Sequence, residues 1–450
     1  MSAPRSDAVV LVLRDEDPQV ALELLKHRWE HLRGHCGQVL FKPNLLHHRH
    51  ALGGDHAAVV TQPPVLELAW RAADALQLSG PRVVADAPQG DADIDQILEQ
   101  TQLDEWARDR GVTIVDLRRT RWDERKGVPI ARVSLPGDPA GAVRVDLGRD
   151  SAFYGSGGQY GTEANTFYGA DYDVGETNVH HRGEVHEYLF SGSALNSEMI
   201  VNLPKLKSHK KVGVTLSLKN LVGLNADKNW LPHYRFGSPS EGGDAYPEPI
   251  LRRRFENRLL RWGKPLLARS ELGSSIAGAL KPAVAKVLGE TSNTIRSGNW
   301  WGNDTTWRMV VDLNRILRYA RPDGSIASLP QRQAVSLIDG LIAGEGRGPE
   351  APDRIDAGLV IAGTDFVAVD IVAATVMGFD YRKIPHLARA LDEHPLPLTE
   401  ISVDDLTVES NVSEWDRNLW EIDPQTLFRF RPHFGWEGHI ERHEHHTGTA

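Results

Sequence analysis

The chain predicts an α/β fold: a mostly parallel sheet core, covering helices and a helical insertion. Three observations carry this. Short apolar runs alternate with stretches of helical periodicity from residue 8 to residue 115, the pattern of a parallel sheet covered by helices. Polar residues (Lys42, Asn44 and Asp86) close those runs, at the strand ends where such sheets bind ligands. The same alternation returns from residue 335, after a long basic stretch.

Taken in order, residues 8–13 read as a strand, 19–32 as a helix and 38–41 as a second strand ending in Lys42-Pro43-Asn44. A helix over 65–78 is stopped by Gly80-Pro81. A strand over 82–85 ends at Asp86, and a helix over 94–108 leads to a strand over 112–115. Residues 120–150 read as strands and turns, and 151–182 as one long loop rich in Gly, Tyr and Asn. Met199-Ile200-Val201 with Leu203 is a buried strand, and 212–224 has helical length and apolar spacing. The basic residues between them are therefore placed at a strand-to-helix turn. Residues 249–298 form a helical insertion, and Asp304 is the expected cap of a helix over 305–319. Strands over 335–343 and 357–362 follow, and Thr364-Asp365 opens a helix that runs to Met377 and stops at Gly378. The core thus divides into 1–248 and 331–410 around an insertion at 249–330, with a tail at 411–450.

Composition narrows the function. Lysine and arginine number 51 against 61 acidic residues, a net charge of −10 that argues against nucleic acid as a partner. No run approaches the ~20 apolar residues of a transmembrane span, and residues 1–14 lack the apolar run of a signal peptide. Cys36 is the single cysteine, so neither an intrachain disulfide nor a thiolate-held iron–sulfur cluster is expected, and the expected compartment is the cytoplasm. P-loop, dinucleotide and nucleophile-elbow motifs are missing.

The chemistry concentrates in Pro204-Lys205-Leu206-Lys207-Ser208-His209-Lys210-Lys211. At the positive end of a helix dipole each lysine is unfavourable by up to ~1 kcal/mol unless an anion joins it, so the run predicts an anion site rather than a solvated basic turn. Thr215, Lys219 and Gly223 are spaced by four along the following helix, beside Asn220, and Gly223 is expected to let a ligand approach Lys219. Lys42 and Asn44 close the site from the neighbouring strand, Lys205 and Lys219 bind the anion, and His209 with Lys207 is the candidate catalytic pair. Asp339 and Asp370 are the candidate ligands of a divalent metal such as Mg²⁺. Trp301 and Asp304 are candidates to stack on and hydrogen-bond a sugar, against the alternative of core packing. The basic amphipathic stretch 251–269 raises a peripheral membrane scaffold as an alternative. The tail histidines His439, His443, His445 and His446 are compositionally metal-binding, and a disordered polar end explains them as well.

Several of these segments carry a resemblance. Phe41-Lys42-Pro43-Asn44, Asn202-Leu203-Pro204-Lys205-Leu206-Lys207-Ser208-His209 and Leu218-Lys219-Asn220-Leu221-Val222-Gly223 resemble blocks of the domain-of-unknown-function 362 family. Ile338-Asp339-Gly340, Gly346-Arg347-Gly348-Pro349 and Gly363-Thr364-Asp365-Phe366-Val367-Ala368-Val369-Asp370 resemble its C-terminal half. The resemblance implies an α/β fold. The ferredoxin segment that accompanies many relatives does not carry over to a chain with Cys36 alone. The insertion with Trp300-Trp301-Gly302-Asn303-Asp304 resembles a branch associated with surface-polysaccharide assembly. Together these give the expectation of a cytoplasmic enzyme acting on a phosphorylated or carboxylated small molecule, such as a nucleotide- or lipid-linked sugar. Group transfer is favoured over proton abstraction. A non-catalytic anionic-ligand or glycan-binding protein and the membrane scaffold are the alternatives.

Overall fold

The computed structural model describes residues 6–125, 128–154, 166–171, 173–249 and 295–442. The stretch 251–269, with the scaffold reading attached to it, and His443, His445 and His446 lie outside the described residues.

One large sheet organises the molecule. Its strands run in the order Arg417–Asn418, Thr407–Ser410, Val9–Arg14, Leu359–Gly363, Gln333–Glu345, Met199–Leu203, Val39–Pro43, Arg82–Asp86 and Ile114–Asp116. Every pairing from Gln333–Glu345 to Ile114–Asp116 is parallel, while Leu359–Gly363 runs antiparallel to both neighbours. Val39–Pro43, Met199–Leu203 and Leu359–Gly363 are buried at every position, as strands covered on both faces must be. Alternate residues serve opposite cores. Phe41, Val201 and Leu337 pack with Leu25, Leu66 and Ile97 on one face. Leu40, Ile200 and Ile338 pack with Leu313 and Val369, from the helices Thr306–Tyr319 and Phe366–Val376, on the other. No described helix is long and apolar enough to cross a membrane.

Several local expectations change. The helix over 94–108 breaks into Ile94–Thr101 and Leu103–Asp109, because Gln102 adopts a left-handed conformation at φ 61°. Within the loop expected over 151–182 lie the strand Phe167–Gly169 and the helix Val174–His180, whose cap Asp173 accepts from the Glu176 amide. Asp304 does not cap the helix after it. The Asn303 side-chain oxygen accepts from the Thr305 and Thr306 amides at 3.1 and 2.8 Å, and Asp304 pairs with Arg235 and Arg308.

The largest correction concerns the basic run. Lys205–His209 is a strand, continuing past Pro204 alongside Gln333–Glu345 with Lys205 opposite Asp339 and Lys207 opposite Gly344. The helix expected over 212–224 shrinks to Leu216–Asn220 with a 3₁₀ turn at Leu221–Leu224. A helix dipole therefore does not organise the cations. Strand alternation does: Lys205, Lys207 and His209 share one side and Leu206 and Ser208 the other.

The short helix is held from outside. Asp370 accepts the Ser217 amide at 2.7 Å and the Leu218 amide at 2.8 Å, one on each carboxylate oxygen. Asp370→Ala leaves both buried donors without acceptors and is expected to destabilise the fold by about 2–4 kcal/mol, read from the urea midpoint at constant slope.

Candidate functional site

A cavity of about 240 Å³ opens beyond the carboxyl ends of Val39–Pro43 and Arg82–Asp86. Five lysines line it, Lys207, Lys210, Lys211, Lys219 and Lys228, against two carboxylates, Asp86 and Glu350. Both carboxylates are already engaged. Glu350 pairs with Lys210 at 2.7 Å, and Asp86 with the fully buried Lys42 at 2.6 Å, just behind the lining.

The other four ammonium groups have no carboxylate at ion-pair distance among the described residues. Lys207 donates to the Val59 carbonyl at 2.5 Å and the Asn44 side-chain oxygen at 3.2 Å. Lys228 donates to the Ala87 carbonyl at 2.7 Å. Lys211 donates to the Ser297 carbonyl and sits 4.8 Å from the Tyr234 ring centroid. Lys219 has no hydrogen-bond or ion-pair partner among the described residues and is 8% exposed. Thr215 Oγ1 is buried on the same wall and also lacks a partner among the described residues.

An amide relay fixes the floor. Asn202 donates to the Ser217 carbonyl at 3.0 Å, Asn220 donates to Asn202 Oδ1 at 2.8 Å, and Asn44 donates to Asn220 Oδ1 at 3.0 Å. With Lys207 donating to Asn44, every oxygen of the relay is turned inward along the chain. Gly223 serves the site differently from the expectation. A methyl group there would lie 2.0 Å from Asp86 Oδ1 and 2.5 Å from Lys42 Nζ, so its bareness makes room for that ion pair rather than for a ligand at Lys219. Gly348 lies equally tight on the Ser208 carbonyl, which lets the Gly346-Arg347-Gly348-Pro349 turn carry Glu350 to Lys210.

Burial and mutual repulsion weaken these bases. Burial, then Lys210 and Lys42, pulls the Lys219 ammonium down to about 8. Burial and Lys210 bring Lys211 to about 7, and burial brings Lys228 to about 7 despite Asp86. Lys207, desolvated and facing Lys205 and Lys219, falls well below the usual lysine range. His209 and His233 fall well below the usual imidazole range, by burial first and then by Lys219, so both rings are neutral at pH 7.

The structure brings Asn44, Lys207, His209, Thr215, Lys219 and Asn220 to one cavity, with Lys42 behind it. It does not bring the others. Lys205 is spent on Asp339 at 2.7 Å with both side chains fully buried, and Asp339 also accepts the Gln62 amide. Asp339 and Asp370 are thus engaged at separate places, and no group of three or more metal-capable side chains stands among the described residues. Trp301 is 48% exposed and stacks on His439 at 4.4 Å, and neither it nor Asp304 lines the cavity. Sequence reasoning missed Lys228, His233 and Glu350. Lys228 lies between Asp227 and Asn229, which reads as a solvated turn, and Glu350 follows a Gly-Pro turn whose path is set by Ser208.

Fold and site define an α/β protein with a buried, under-compensated cationic cavity. The chain belongs to the DUF362 family, a domain of unknown function, whose profile matches residues 146–375. The Lys42-Pro43-Asn44 block lies ahead of that match, yet the fold sets it against the matched segment at the cavity. The chain is 22% identical over 232 residues to the Thylakoid-associated protein sll1697 of Synechocystis sp., covering 52% of this chain and 43% of that protein. It therefore spans less than half the length of that relative. No solved structure matches.

Two outcomes follow from this geometry. Gly223→Ala drives a methyl into a buried ion pair and is expected to cost about 3–5 kcal/mol in chemical denaturation. Lys219→Met should raise the stability of the ligand-free protein by about 1–3 kcal/mol near pH 7. The sign follows from proton linkage. The folded state binds Lys219's proton less tightly than the unfolded chain, so the penalty is complete below about pH 8 and is relieved as pH rises from there toward the unfolded lysine value near 10.5. The mutant's advantage should fade over that interval in melts at constant ionic strength.

Proposed function

We propose that the cavity is the site of an enzyme acting on an anionic small molecule, phosphorylated or carboxylated. The observation that supports this most is the Lys219 ammonium, buried, aimed into a cavity and lacking a counter-charge among the described residues, with Lys207, Lys211 and Lys228 around it. A cation in that setting is costly unless a ligand supplies the opposite charge. Cations fixed before the ligand arrives stabilise charge that develops on a reacting group without reorganising. Backbone carbonyls and the Asn44 amide hold Lys207, Lys211 and Lys228 there, as positioned groups for phosphate or carboxylate oxygens. Sugar phosphates, nucleotide- or lipid-linked ones among them, are included in the ligand class.

The test is a melting-temperature panel of sulfate, inorganic phosphate, sugar phosphates, nucleoside diphosphates and dicarboxylates. A ligand at 100 times its Kd stabilises by about 2.7 kcal/mol. Lys219→Met and Lys207→Met are each expected to remove the shift produced by the best ligand; shifts that survive both substitutions would sink the reading. Sulfate, whose own charge is constant over the range, should bind most tightly below pH 7. Its affinity should then fall between about pH 7 and 9 as Lys211, Lys228 and Lys219 lose their protons. Isothermal titration across that range reads the slope.

A further inference from the structure

The two cavity histidines are locked in opposite tautomers. His233 Nδ1 lies 2.9 Å from the Leu231 carbonyl, an oxygen that only accepts, so Nδ1 carries the proton and Nε2 keeps its lone pair. His209 Nδ1 lies 3.1 Å from the Lys211 amide nitrogen, a group that only donates, so Nδ1 is bare and the proton sits on Nε2. Both rings line the cavity, and neither Nε2 has a partner among the described residues. The site therefore offers one acceptor and one donor on neutral rings.

This pairing assigns different chemistry to the two rings. For His209 to become an imidazolium it must place a second proton on Nδ1, directly against the Lys211 N–H. It therefore works as a neutral hydrogen-bond donor rather than as an acid or a base. His233 takes a proton on Nε2 without disturbing Nδ1–H, and the Leu231 carbonyl then stabilises the cation. Its backbone is clamped as well: Asn303 Nδ2 and Thr306 Oγ1 both donate to the His233 carbonyl, at 3.0 and 2.6 Å. Asn303 belongs to the Trp-Trp-Gly-Asn-Asp segment, so that segment reaches the cavity through His233.

We propose that His233 is the general base of the site and that its substrate is an anion carrying a hydroxyl group, the anion held at Lys207 and Lys219 and the hydroxyl presented to His233 Nε2. This rests on the anion-site reading above and names the base and the substrate class within it. In the step proposed, the substrate O–H bond breaks, the proton forms an N–H bond on Nε2 and the electron pair stays on oxygen. The His209 Nε2–H and the Lys219 ammonium face the resulting alkoxide. Burial first, and then Lys219, Lys211 and Lys228, hold His233 a poor base; a bound anion offsets the lysines' share, so the base gains strength when substrate is present.

The experiment is long-range ¹H–¹⁵N NMR on the full chain labelled at histidine, with His233→Asn and His209→Gln used to assign the two rings. The expected result at pH 7.5 is a bare Nε2 on His233 and a bare Nδ1 on His209. Saturating inorganic phosphate is expected to move the His233 midpoint up by about one pH unit, with no comparable change at His209. Glycerol phosphate, with hydroxyls beside its anion, is expected to bind roughly tenfold more tightly than propyl phosphate, the worth of one good hydrogen bond in a dry site. A protonated Nε2 on His233, with phosphate still bound, overturns the base assignment and leaves the anion site standing. Equal affinity for the two esters overturns the hydroxyl assignment. Phosphate that neither binds nor moves any histidine signal overturns the anion site and the base together.

Discussion

Most of the site's behaviour follows from ammonium groups taken out of water without enough carboxylates to answer them. The contrast lies within a single strand. Lys205 and Lys207 sit two residues apart on the same side of Lys205–His209. Lys205 meets Asp339 in a closed ion pair, and among the described residues Lys207 meets only a carbonyl and an amide oxygen. Lys42 behind the wall is likewise paired, and Lys219 in front of it is not. Charges at the margin are neutralised internally; at the centre Lys207, Lys211 and Lys228 are held by dipoles, and Lys219 has no partner among the described residues. Dipoles orient an ammonium without cancelling it, so the centre keeps a positive potential in a medium that screens it poorly. Such a potential survives only on a frame that cannot relax around it. The parallel strands behind the cavity, with Val39–Pro43 and Met199–Leu203 buried at every position, supply that frame.

The same constraint explains what was legible in sequence. The α/β alternation is written in periodicity, and Lys42, Asn44 and Asp86 are legible because strand ends of parallel sheets face the ligand side. The Lys205–His209 strand was misread because its stability comes from the thirteen-residue neighbour Gln333–Glu345, which no local window contains. Its period of two was present in Lys205, Lys207 and His209, but Pro204 and the density of charge resemble a turn. Asp339 and Asp370 carry the composition of a metal pair, yet their oxygens go to Lys205 and to backbone amides. Lys228 and His233 enter through tertiary folding alone: Lys228 is anchored on the Ala87 carbonyl, 141 positions away.

The segments that carry the family resemblance divide into groups that line the cavity and groups that place them. Lys207, His209, Lys219 and Asn220 face the cavity. Gly223 clears space for Lys42 and Asp86, Gly348 lets a turn press on Ser208, and Asp370 starts the helix that bears Lys219. The Trp300 to Asp304 segment belongs with the second kind. Trp300 donates to the Asp244 carbonyl and Asn303 grips the His233 carbonyl, so its contribution to the site is position.

Neutral histidines amid so many lysines solve a specific problem. A further cation would add repulsion to the burial that already brings Lys211 and Lys228 to about 7, and a further carboxylate would pair with a lysine and close the site. An imidazole without charge adds direction and leaves the potential alone. The backbone decides that direction, through one carbonyl at Leu231 and one amide at Lys211, each fixed by its own strand or turn. On the reading proposed above, recognition of charge and recognition of hydrogen-bond polarity fall to different side chains, and a ligand satisfies both at once to fill the cavity.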